Sequence, residues 1–382
     1  MTCHVSHCVV DSEWDSFVEA TSGGLHMQSC LWAAFKAPLG WSPIRAVLKR
    51  NGCIVAGAQI LVRRLLFGLR IARVPQGPIL AFYDSELFNA MIESLVELIR
   101  IHKIDYIALQ PDFNYGTVDE LRRWGFEVSP YLRGECGTVL VDLSQRSEIL
   151  LQQMRRTTRN NIVSAQHLGI KVRDGTHSDL SVFYRFLEAT ARRRHFTRRS
   201  RTYYTRLWER LRPSQHVKLF VAEYQGEAIS SLLTVPFGDT VVAEAFGWSG
   251  AKARLRPNEL LFWRAIQWSK DNGYYRFDLG GIDVSAAHAL LNGNSLPEAL
   301  RSNSTRFKLG FGGSVVLRPP TFEYIPNRAL RLFLRQYTTI LGKRNLTTLL
   351  NRIPSLDNLD LRGFFSSFKR PDKKSENGTA VR

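Results

Sequence analysis

The most constraining feature of the sequence is an internal repeat of one strand–helix pattern. The first copy contains a hairpin, a further strand, a helix and a closing strand: PIRAVLKRNGCIVAGAQILVRR, RIARVPQGPIL, LFNAMIESLVELIRIHK and IDYIALQPD. The second copy contains HVKLFVAEYQGEAISSLLTVPF, DTVVAEAFGWSG, NELLFWRAIQWSKDNG and YYRFDLGGID in the same order. The hairpins turn at Asn51-Gly52 and Gln225-Gly226, which suit tight turns. The order β-β-β-α-β therefore occurs twice and predicts a duplicated module.

This repeat places the chain in the α/β (α+β) class, as two tandem modules with a mixed sheet each. The order of elements is similar to that of the acetyltransferase (GNAT) fold. A chain of 382 residues is also long for a single core. We expect a first module over 1–143, a second module with a basic helical lead-in over 144–320, an amphipathic helical tail over 321–370, and a disordered end over 371–382.

The net charge of +18 is concentrated in two segments. Residues 144–220 hold 17 Lys and Arg against 5 Asp and Glu, and residues 318–382 hold 13 against 5. A surface with one dominant sign attracts polyanions such as nucleic acid, anionic lipid or a sugar nucleotide. A merely solubilising surface mixes both signs, so the charge predicts an anionic partner.

The N-terminus and the cysteines indicate a cytoplasmic protein without a structural metal. The first residues lack a basic stretch followed by an apolar core, so we expect no secretion signal. Five irregularly spaced cysteines suggest reduced thiols. The cluster Cys3-His4 and His7-Cys8 has metal-ligand residue types, but its spacing is unusual for zinc and no second cluster completes it, so we expect a strand there.

Two arginine-rich helical segments suit contact with an anionic surface. Arg155, Arg156 and Arg159 lie on roughly one side of a predicted helix and fit contact with a nucleic-acid backbone, which demands charge rather than sequence. In the tail, apolar residues from 330 to 341 recur at helical spacing between arginines. This pattern is typical of a helix lying on an anionic membrane, and equally of one docked on the protein.

The stretch that would open the coenzyme site of an acetyltransferase lacks glycine. That fold uses a glycine-rich turn before its helix so that backbone N–H groups reach a diphosphate. Here the equivalent stretches are KARLRPNELL and ILAFYDSELF. Both modules are therefore expected to keep the scaffold without binding coenzyme A in the usual way.

The doubled module resembles the Fem-type (FemABX) tRNA-dependent aminoacyltransferases, which build peptidoglycan interpeptide bridges. The resembling pieces are QSCLWAAFK, VAGAQILVRR, RVPQGPIL, RRTTRNNIVSAQHLGIKV, RPNELLFWRAIQWSKDNGYYRFDLGGID and TRFKLGFGG, spread over roughly residues 25–320. The resemblance implies transfer of an amino acid from aminoacyl-tRNA to an amine of a UDP-linked or lipid-linked muropeptide, without a cofactor, in the cytoplasm or at the inner face of the membrane.

Four residues carry over from the resemblance to substrate positions. Lys36 matches the family lysine that meets the precursor phosphate, and Arg199 and Tyr203 match residues on the opposite wall of that groove. Asp112 matches the acidic residue after the first module's last strand, where it would orient the attacking amine or take its proton. Alternatively, Lys36 pairs only with Trp32 on the surface, and Asp112 only caps its loop.

Phe307 and Lys308 match the Phe-Lys pair that the family places at the transfer site. Lys308 would stabilise the negative charge that develops on the ester carbonyl oxygen, and Phe307 would offer a flat wall to a base or sugar. The glycines at 310, 312 and 313 would let the backbone lie close to the substrate. The alternative for Lys308 is an ordinary surface residue on a turn.

Three other functions remain open at this point. The acceptor can be a lipid, a polysaccharide or a toxin instead of peptidoglycan, and the basic tail is compatible with this. An acyl-CoA-dependent N-acyltransferase is disfavoured by the missing glycine turn. A non-catalytic RNA-binding protein accounts for the charge but not for the two modules or the Phe-Lys pair.

Overall fold

The computed structural model describes residues 2–111, 117–130, 132, 134–296, 300, 304–334 and 336 of the chain. Its strands form two mixed sheets, one for each copy of the repeat. The strands are β1 (Thr2–Ser6), β2 (Ser42–Arg50), β3 (Cys53–Arg64), β4 (Arg70–Pro75), β5 (Ile79–Leu80), β6 (Tyr106–Gln110), β7 (Glu127–Val128), β8 (Cys136–Asp142), β9 (Lys171–Asp174), β10 (Lys218–Tyr224), β11 (Glu227–Phe237), β12 (Thr240–Trp248), β13 (Arg276–Ile282), β14 (Ser314–Arg318) and β15 (Phe322–Tyr324).

Helices flank both sheets. They are α1 (Ser12–Ala20), α2 (Cys30–Lys36), α3 (Ser85–Ile101), α4 (Thr117–Arg123), α5 (Ser147–Gln153), α6 (Arg156–His167), α7 (Leu180–Arg194), α8 (Arg201–Leu211), α9 (Pro257–Asp271), α10 (Val284–Leu291) and α11 (Ser304–Leu309). Residues 328–334 are also helical. The remainder of the expected tail helix, and the end expected to be disordered, lie outside the described residues.

The first sheet has the order β1-β2-β3-β4-β6-β15-β7, with β5 added to β3, and the second has the order β14-β8-β13-β12-β11-β10-β9. Both contain the hairpin, strand, helix and strand of the repeat, so the predicted duplicated α/β fold is confirmed. At each hairpin turn the two central residues have positive φ, as a tight turn between twisted strands requires. The sequence Cys3–Ser6 belongs to β1, as expected for this segment.

The chain exchanges strands between the sheets. β8 precedes residue 143 but pairs with β13 and β14 in the second sheet, and β15 follows residue 320 but pairs with β6 and β7 in the first. The domain boundaries expected from the sequence follow the linear repeat and stay a prediction. The exchanged strands tie the two modules to each other.

A shared hydrophobic core also joins the modules. Each sheet buries one core against its own long helix, α3 or α9. A third cluster combines residues of both halves: Trp32, Phe35 and Leu61 from the first with Phe183, Tyr203 and Leu207 from the second. Since burial of apolar surface contributes about 25 cal/mol per Å², this cluster holds α2 firmly against α8.

The two sheets differ where their parallel strands meet. β4 and β6 pair from Ile71 opposite Tyr106 as far as Pro75 opposite Gln110. β12 and β13 pair from Thr240 opposite Arg276 only as far as Val242 opposite Asp278, after which β12 continues beside β11 and β13 beside β8. The second sheet is therefore split from residue 243 onward, and the split lies beside α11. Of the described residues, none forms a helix long and apolar enough to cross a membrane.

Candidate active site

The Phe-Lys pair lies on the short helix α11, followed by the glycine-rich turn into β14. A Cβ at Gly310 would lie 2.5 Å from the Thr158 hydroxyl, and one at Gly313, where φ is +87°, would lie 2.5 Å from the carbonyl oxygen of Leu140. These glycines allow the turn to pack closely on α6 and β8. The sequence interpretation, which had them approach a substrate, was wrong for these two positions because their backbone faces the protein itself.

Lys308 is half-buried and points toward the bulged end of β13. Its ammonium donates a hydrogen bond to the carbonyl oxygen of Gly281 at 2.8 Å. A Cβ on Gly280 would lie 3.3 Å from Nζ, which is a tight contact, and the φ of +79° at this position favours glycine as well. Burial lowers the pKa of Lys308 to about 8, while the negative charge of Asp278 acts in the opposite direction. Lys308 is therefore a cation at neutral pH whose charge is lost in mildly alkaline solution.

Asp278 is buried beside this lysine and shapes the backbone that contacts it. Its carboxylate accepts hydrogen bonds from the Thr138 hydroxyl, from the N–H of Gly280 at 2.7 Å and from the Arg318 guanidinium at 2.8 Å. The ladder between β13 and β8 is interrupted from Asp278 to Gly281, and Gly280 has φ +79°. A bulge of this kind redirects backbone groups, and here it accompanies the turn of the Gly281 carbonyl toward Lys308.

Phe307 packs within an aromatic cluster. Its ring centroid lies 5.3 Å from Phe262, 5.2 Å from Phe311 and 6.4 Å from Phe246, with edge-to-face geometry to the first two. Such contacts contribute about 0.5–1.5 kcal/mol each beyond area burial. The ring therefore anchors α11 to α9 and β12, and the expected stacking on a substrate base or sugar stays a prediction.

Lys36, Arg199 and Tyr203, which the sequence analysis grouped, meet in the structure. Lys36 is buried, with Nζ 4.7 Å from the Trp32 ring centroid, 5.1 Å from Phe35 and 5.7 Å from Tyr203. The Arg199 guanidinium lies 4.5 Å from the same Tyr203 ring. Two cations thus converge on one tyrosine between α2 and α8, which is an arrangement that attracts an anionic group.

Glu244 on β12 contacts this cationic cluster through Tyr203. The Tyr203 hydroxyl donates to Glu244 Oε1 at 3.5 Å, and Glu244 lies where β12 makes a bulge against β11. The neighbouring Ala243 carbonyl oxygen lies 3.4 Å from the position that a Cβ would take on Gly280, the same position that Lys308 approaches to 3.3 Å. Glu244 thus contacts the cationic cluster through Tyr203, and its chain neighbour Ala243 lies at the split of the second sheet.

The comparisons with known proteins match both halves of this architecture. The sequence model described as the FemAB family matches residues 9–123, and the one described as an acetyltransferase (GNAT) domain matches residues 152–288. The Fem-type resemblance is confirmed. The solved structure titled "Crystal structure of FemX" superposes with a TM-score of 0.73 at 16% identity, over 87% of this chain and 100% of that chain, and supports the fold of two GNAT-like modules.

Curated relatives of this chain are named "Lipid II:glycine glycyltransferase". The protein of that name from Staphylococcus aureus strain MRSA252 is 23% identical over 227 residues, which is 56% of this chain and 54% of the relative. The protein from strain USA300 is 22% identical over the same shares. The chain thus spans about half the length of the curated relatives it matches.

The arginines predicted to contact tRNA have three different environments in the structure. Arg159 donates to three backbone carbonyls near the end of α5, at 2.6–3.3 Å, and so caps that helix. Arg155 is half-buried and donates to the Arg306 carbonyl at 3.4 Å. Arg156 is exposed. The sequence pattern placed the three on one helix face but did not reveal the cap on α5.

The start of α9 is the position at which an acetyltransferase would bind the diphosphate of coenzyme A. Left-handed Lys252 and Arg256 flank a short 3₁₀ turn that leads into the helix at Pro257, without a glycine cradle. Glu259, in the first turn, accepts a hydrogen bond from the Asn161 side chain at 2.8 Å. A carboxylate at the place where a helix N-terminus would receive a diphosphate disfavours that anion.

One residue predicted to be catalytic, Asp112, lies outside the described residues. Among the residues that are described, no group of three or more His, Cys, Asp or Glu side chains is placed to hold a metal ion.

Sequence reasoning missed three site residues: Asp278, Arg318 and Glu244. Asp278 lies within the apolar strand β13, two residues before the pair Gly280-Gly281, and glycines inside a strand signal a bulge. Arg318 is the last residue of the apolar strand β14. Glu244 gave no signal, because its orientation depends on the register shift between β11 and β12.

Proposed function

We propose that this chain is an aminoacyltransferase that moves an amino acid from aminoacyl-tRNA to an amine of a peptidoglycan precursor peptide, as in formation of an interpeptide bridge. The observation that carries the proposal is a pair of cationic sites at the second sheet. Lys36 and Arg199 lie at Tyr203, which contacts Glu244 in the bulge of β12, and the half-buried Lys308 lies where β12 and β13 separate. One cationic group suits an anionic acceptor, and the other suits a developing oxyanion.

The chemistry requires no metal and no nucleotide. An aminoacyl ester is already activated, so the enzyme has only to position it, accept negative charge on its carbonyl oxygen and receive a proton from the amine. Lys308 supplies the positive charge. Preorganised donors at such an oxygen contribute about 2.7–4 kcal/mol to transition-state stabilisation. Asp112 is expected to orient the attacking amine.

The donor and the acceptor are assigned by charge. Exposed arginines at the end of α7 and the start of α8, among them Arg192, Arg194 and Arg201, together with Arg156 on α6, offer charge to the tRNA backbone. Lys36 and Arg199 bind the diphosphate of the UDP-linked or lipid-linked muropeptide, arginine through its fork and lysine as a point charge. The names of the curated relatives favour a lipid-linked acceptor.

The proposal is tested by acceptor-dependent release of free tRNA. The full chain is incubated with charged tRNA alone, with UDP-muropeptide, or with the lipid-linked precursor. We expect release of uncharged tRNA only in the presence of one of the two precursors. Release that proceeds equally without an acceptor, or no release with either acceptor, would overturn the proposal. Retention on a coenzyme A affinity column would favour the acyl-CoA alternative instead.

Replacement of Lys36 by methionine is expected to raise KM for the muropeptide. Charge-assisted hydrogen bonds contribute about 1.5–3 kcal/mol, so the increase is about 10-fold to 100-fold while kcat changes little. Methionine preserves the packing on Trp32 and Phe35. Lys218→Met is the matched control, because Lys218 Nζ also lies over a tryptophan, 4.6 Å from the Trp268 ring, but this tryptophan belongs to α9 and not to the cluster between α2 and α8. Equal KM values for the two variants would remove Lys36 from acceptor binding.

We also propose that the chain acts at the cytoplasmic face of the membrane, with helix 328–334 in contact with anionic lipid. Leu332 and Phe333 are 59% and 55% exposed on this helix, and Arg328 is exposed beside them. The double variant Leu332→Asp/Phe333→Asp is expected to sediment less with phosphatidylglycerol vesicles than the wild type. The control is Val163→Asp, at an exposed apolar residue of α6. Unchanged sedimentation of the double variant would exclude membrane contact through these residues.

A further inference from the structure

We propose that Glu244 is the base that takes the proton from the acceptor amine, an assignment that rests on the proposed aminoacyl transfer. Its position in the β12 bulge is the first argument. β11 and β12 pair in one register up to Leu233 opposite Ala245 and in another from Thr234 opposite Ala243, so Glu244 is the additional residue. Bulges often occur beside active sites, where they redirect a side chain out of the regular ladder.

Glu244 also contacts the cationic cluster of Lys36, Arg199 and Tyr203, which is proposed to bind the acceptor. Its Oε1 accepts from the Tyr203 hydroxyl at 3.5 Å, and the ring of that tyrosine carries Lys36 on one side and Arg199 nearby. A muropeptide whose diphosphate meets Lys36 and Arg199 therefore has an acidic side chain in the same groove.

Glu244 also follows directly after the residue of β12 that lies at the split of the sheet. The carbonyl of that residue, Ala243, and the ammonium of Lys308 both approach the position that a Cβ would occupy on Gly280, at 3.4 and 3.3 Å. An ester carbonyl that enters the split between β12 and β13 therefore meets the ammonium of Lys308, and Glu244 belongs to the strand on the other side of the split.

The other carboxylate beside Lys308 is unable to serve. Asp278 is 1% exposed and its oxygens already accept from Thr138, Gly280 and Arg318, so a substrate amine has no access to it. Within the described part of the chain, the charged and titratable groups named at the site are Glu244 on β12, Tyr203 on α8 with Arg199 just before that helix, Lys36 on α2, Lys308 on α11 and Asp278 on β13.

With Glu244 as the base, every proton that the amine loses in the step is accounted for. The acceptor arrives as an ammonium, gives one proton to the Glu244 carboxylate, and attacks the ester carbonyl carbon as a neutral amine. A C–N bond forms, and the carbonyl electron pair moves to the oxygen next to Lys308. When that pair returns, the bond to the ribose oxygen of the tRNA breaks. The second proton of the amine goes to that ribose oxygen, and Glu244 releases its proton to solvent.

The test compares kcat against pH for the wild type and Glu244→Gln, with muropeptide and charged tRNA. Glutamine still accepts the Tyr203 hydrogen bond, so KM for the muropeptide and the melting temperature are expected to stay unchanged. Loss of a general base lowers kcat by about 10²-fold. Between about pH 6 and about pH 7.5 the wild-type kcat is expected to be flat, whereas the variant's rises about tenfold per pH unit, because its amine must first lose a proton to water.

Two further variants make the test specific. Glu223→Gln changes a carboxylate of the same sheet that pairs with Arg173 far from the site, and it is expected to match the wild type. Asp112→Asn tests the alternative base. A flat, wild-type profile for Glu244→Gln, or the steep profile in Asp112→Asn alone, would overturn the assignment. An inactive wild type would overturn the proposed function itself, and is thereby distinguished from an active enzyme in which Glu244 is dispensable.

Discussion

Lys308→Met is expected to lower kcat for transfer by about 10²-fold to 10³-fold, the usual effect of removing one oxyanion donor. The melting temperature is not expected to fall, because burial already disfavours the ammonium, as its lowered pKa indicates. Lys270→Met is the matched control, since Lys270 Nζ also donates to a backbone carbonyl, that of Leu143 at 2.9 Å. This control is expected to keep wild-type kcat. Wild-type turnover in Lys308→Met would make Lys308 a structural residue.

The same lysine gives the wild-type enzyme a defined alkaline limit. Stabilisation of an oxyanion requires the charged form, so kcat is expected to decline as pH rises through about 8, the pKa of Lys308 in the folded chain. The effect of pH on the stability of the folded chain has the opposite sign to its effect on kcat. An unfolded chain holds this proton up to the ordinary pKa of 10.5, so between about 8 and 10.5 the unfolded state binds more protons and the folded state gains stability as pH rises. Lys308→Met is expected to lack this increment, which urea unfolding at two pH values measures.

The second large effect is expected at Asp278. Asp278→Ala takes away the carboxylate that accepts from Arg318, and breaking a buried ion pair from one side costs about 3–5 kcal/mol of unfolding free energy. Both side chains of this pair are buried. Asp239→Ala is the matched control. Asp239 pairs at 2.6 Å with Arg276, which lies on the same strand as Asp278, but both side chains of this pair are partly exposed. Exposed pairs contribute about 0–1 kcal/mol. Denaturant unfolding in which both variants lose the same free energy would contradict the structural role given to Asp278.

A conservative change at Asp278 separates its effect on charge from its effect on folding. Asp278→Asn keeps an oxygen acceptor for the Gly280 N–H but removes the negative charge that raises the pKa of Lys308. The alkaline decline of kcat is therefore expected to begin at lower pH in this variant. An unmoved pH profile would show that Asp278 acts on the fold alone.

The repeated periodicity of the sequence was sufficient to predict the duplicated fold. Local pattern specifies hairpins and amphipathic helices, and the two hairpin turns at residues 51–52 and 225–226 formed as predicted. It did not reveal that β8 and β15 change sheets, because strand pairing over long sequence separation depends on which apolar faces meet in the core. The sequence pattern predicted no helix at residues 304–309, which form α11 with Phe307 packed against α9 and β12.

The candidate site was predicted in part for similar reasons. The resemblance brought Lys36, Arg199 and Tyr203 to attention, and the structure places them on one aromatic cluster between the modules. Asp278 and Glu244 escaped attention because each depends on a bulge. A bulge adds one residue to a ladder and so reverses which side chains face the site, and this shift is set by pairing partners that sequence spacing does not display.

The most direct measurement of the central claim is the mass of the acceptor after reaction. Wild-type protein and Lys308→Met are each incubated with a mixture of charged tRNAs and with UDP-linked or lipid-linked muropeptide, and the muropeptides are analysed by mass spectrometry. We expect the wild type to add the mass of one amino-acid residue to one of the two precursors, and the variant to add little or none. Muropeptide masses that stay unchanged with every charged tRNA, or that increase equally with both proteins, would contradict the central claim.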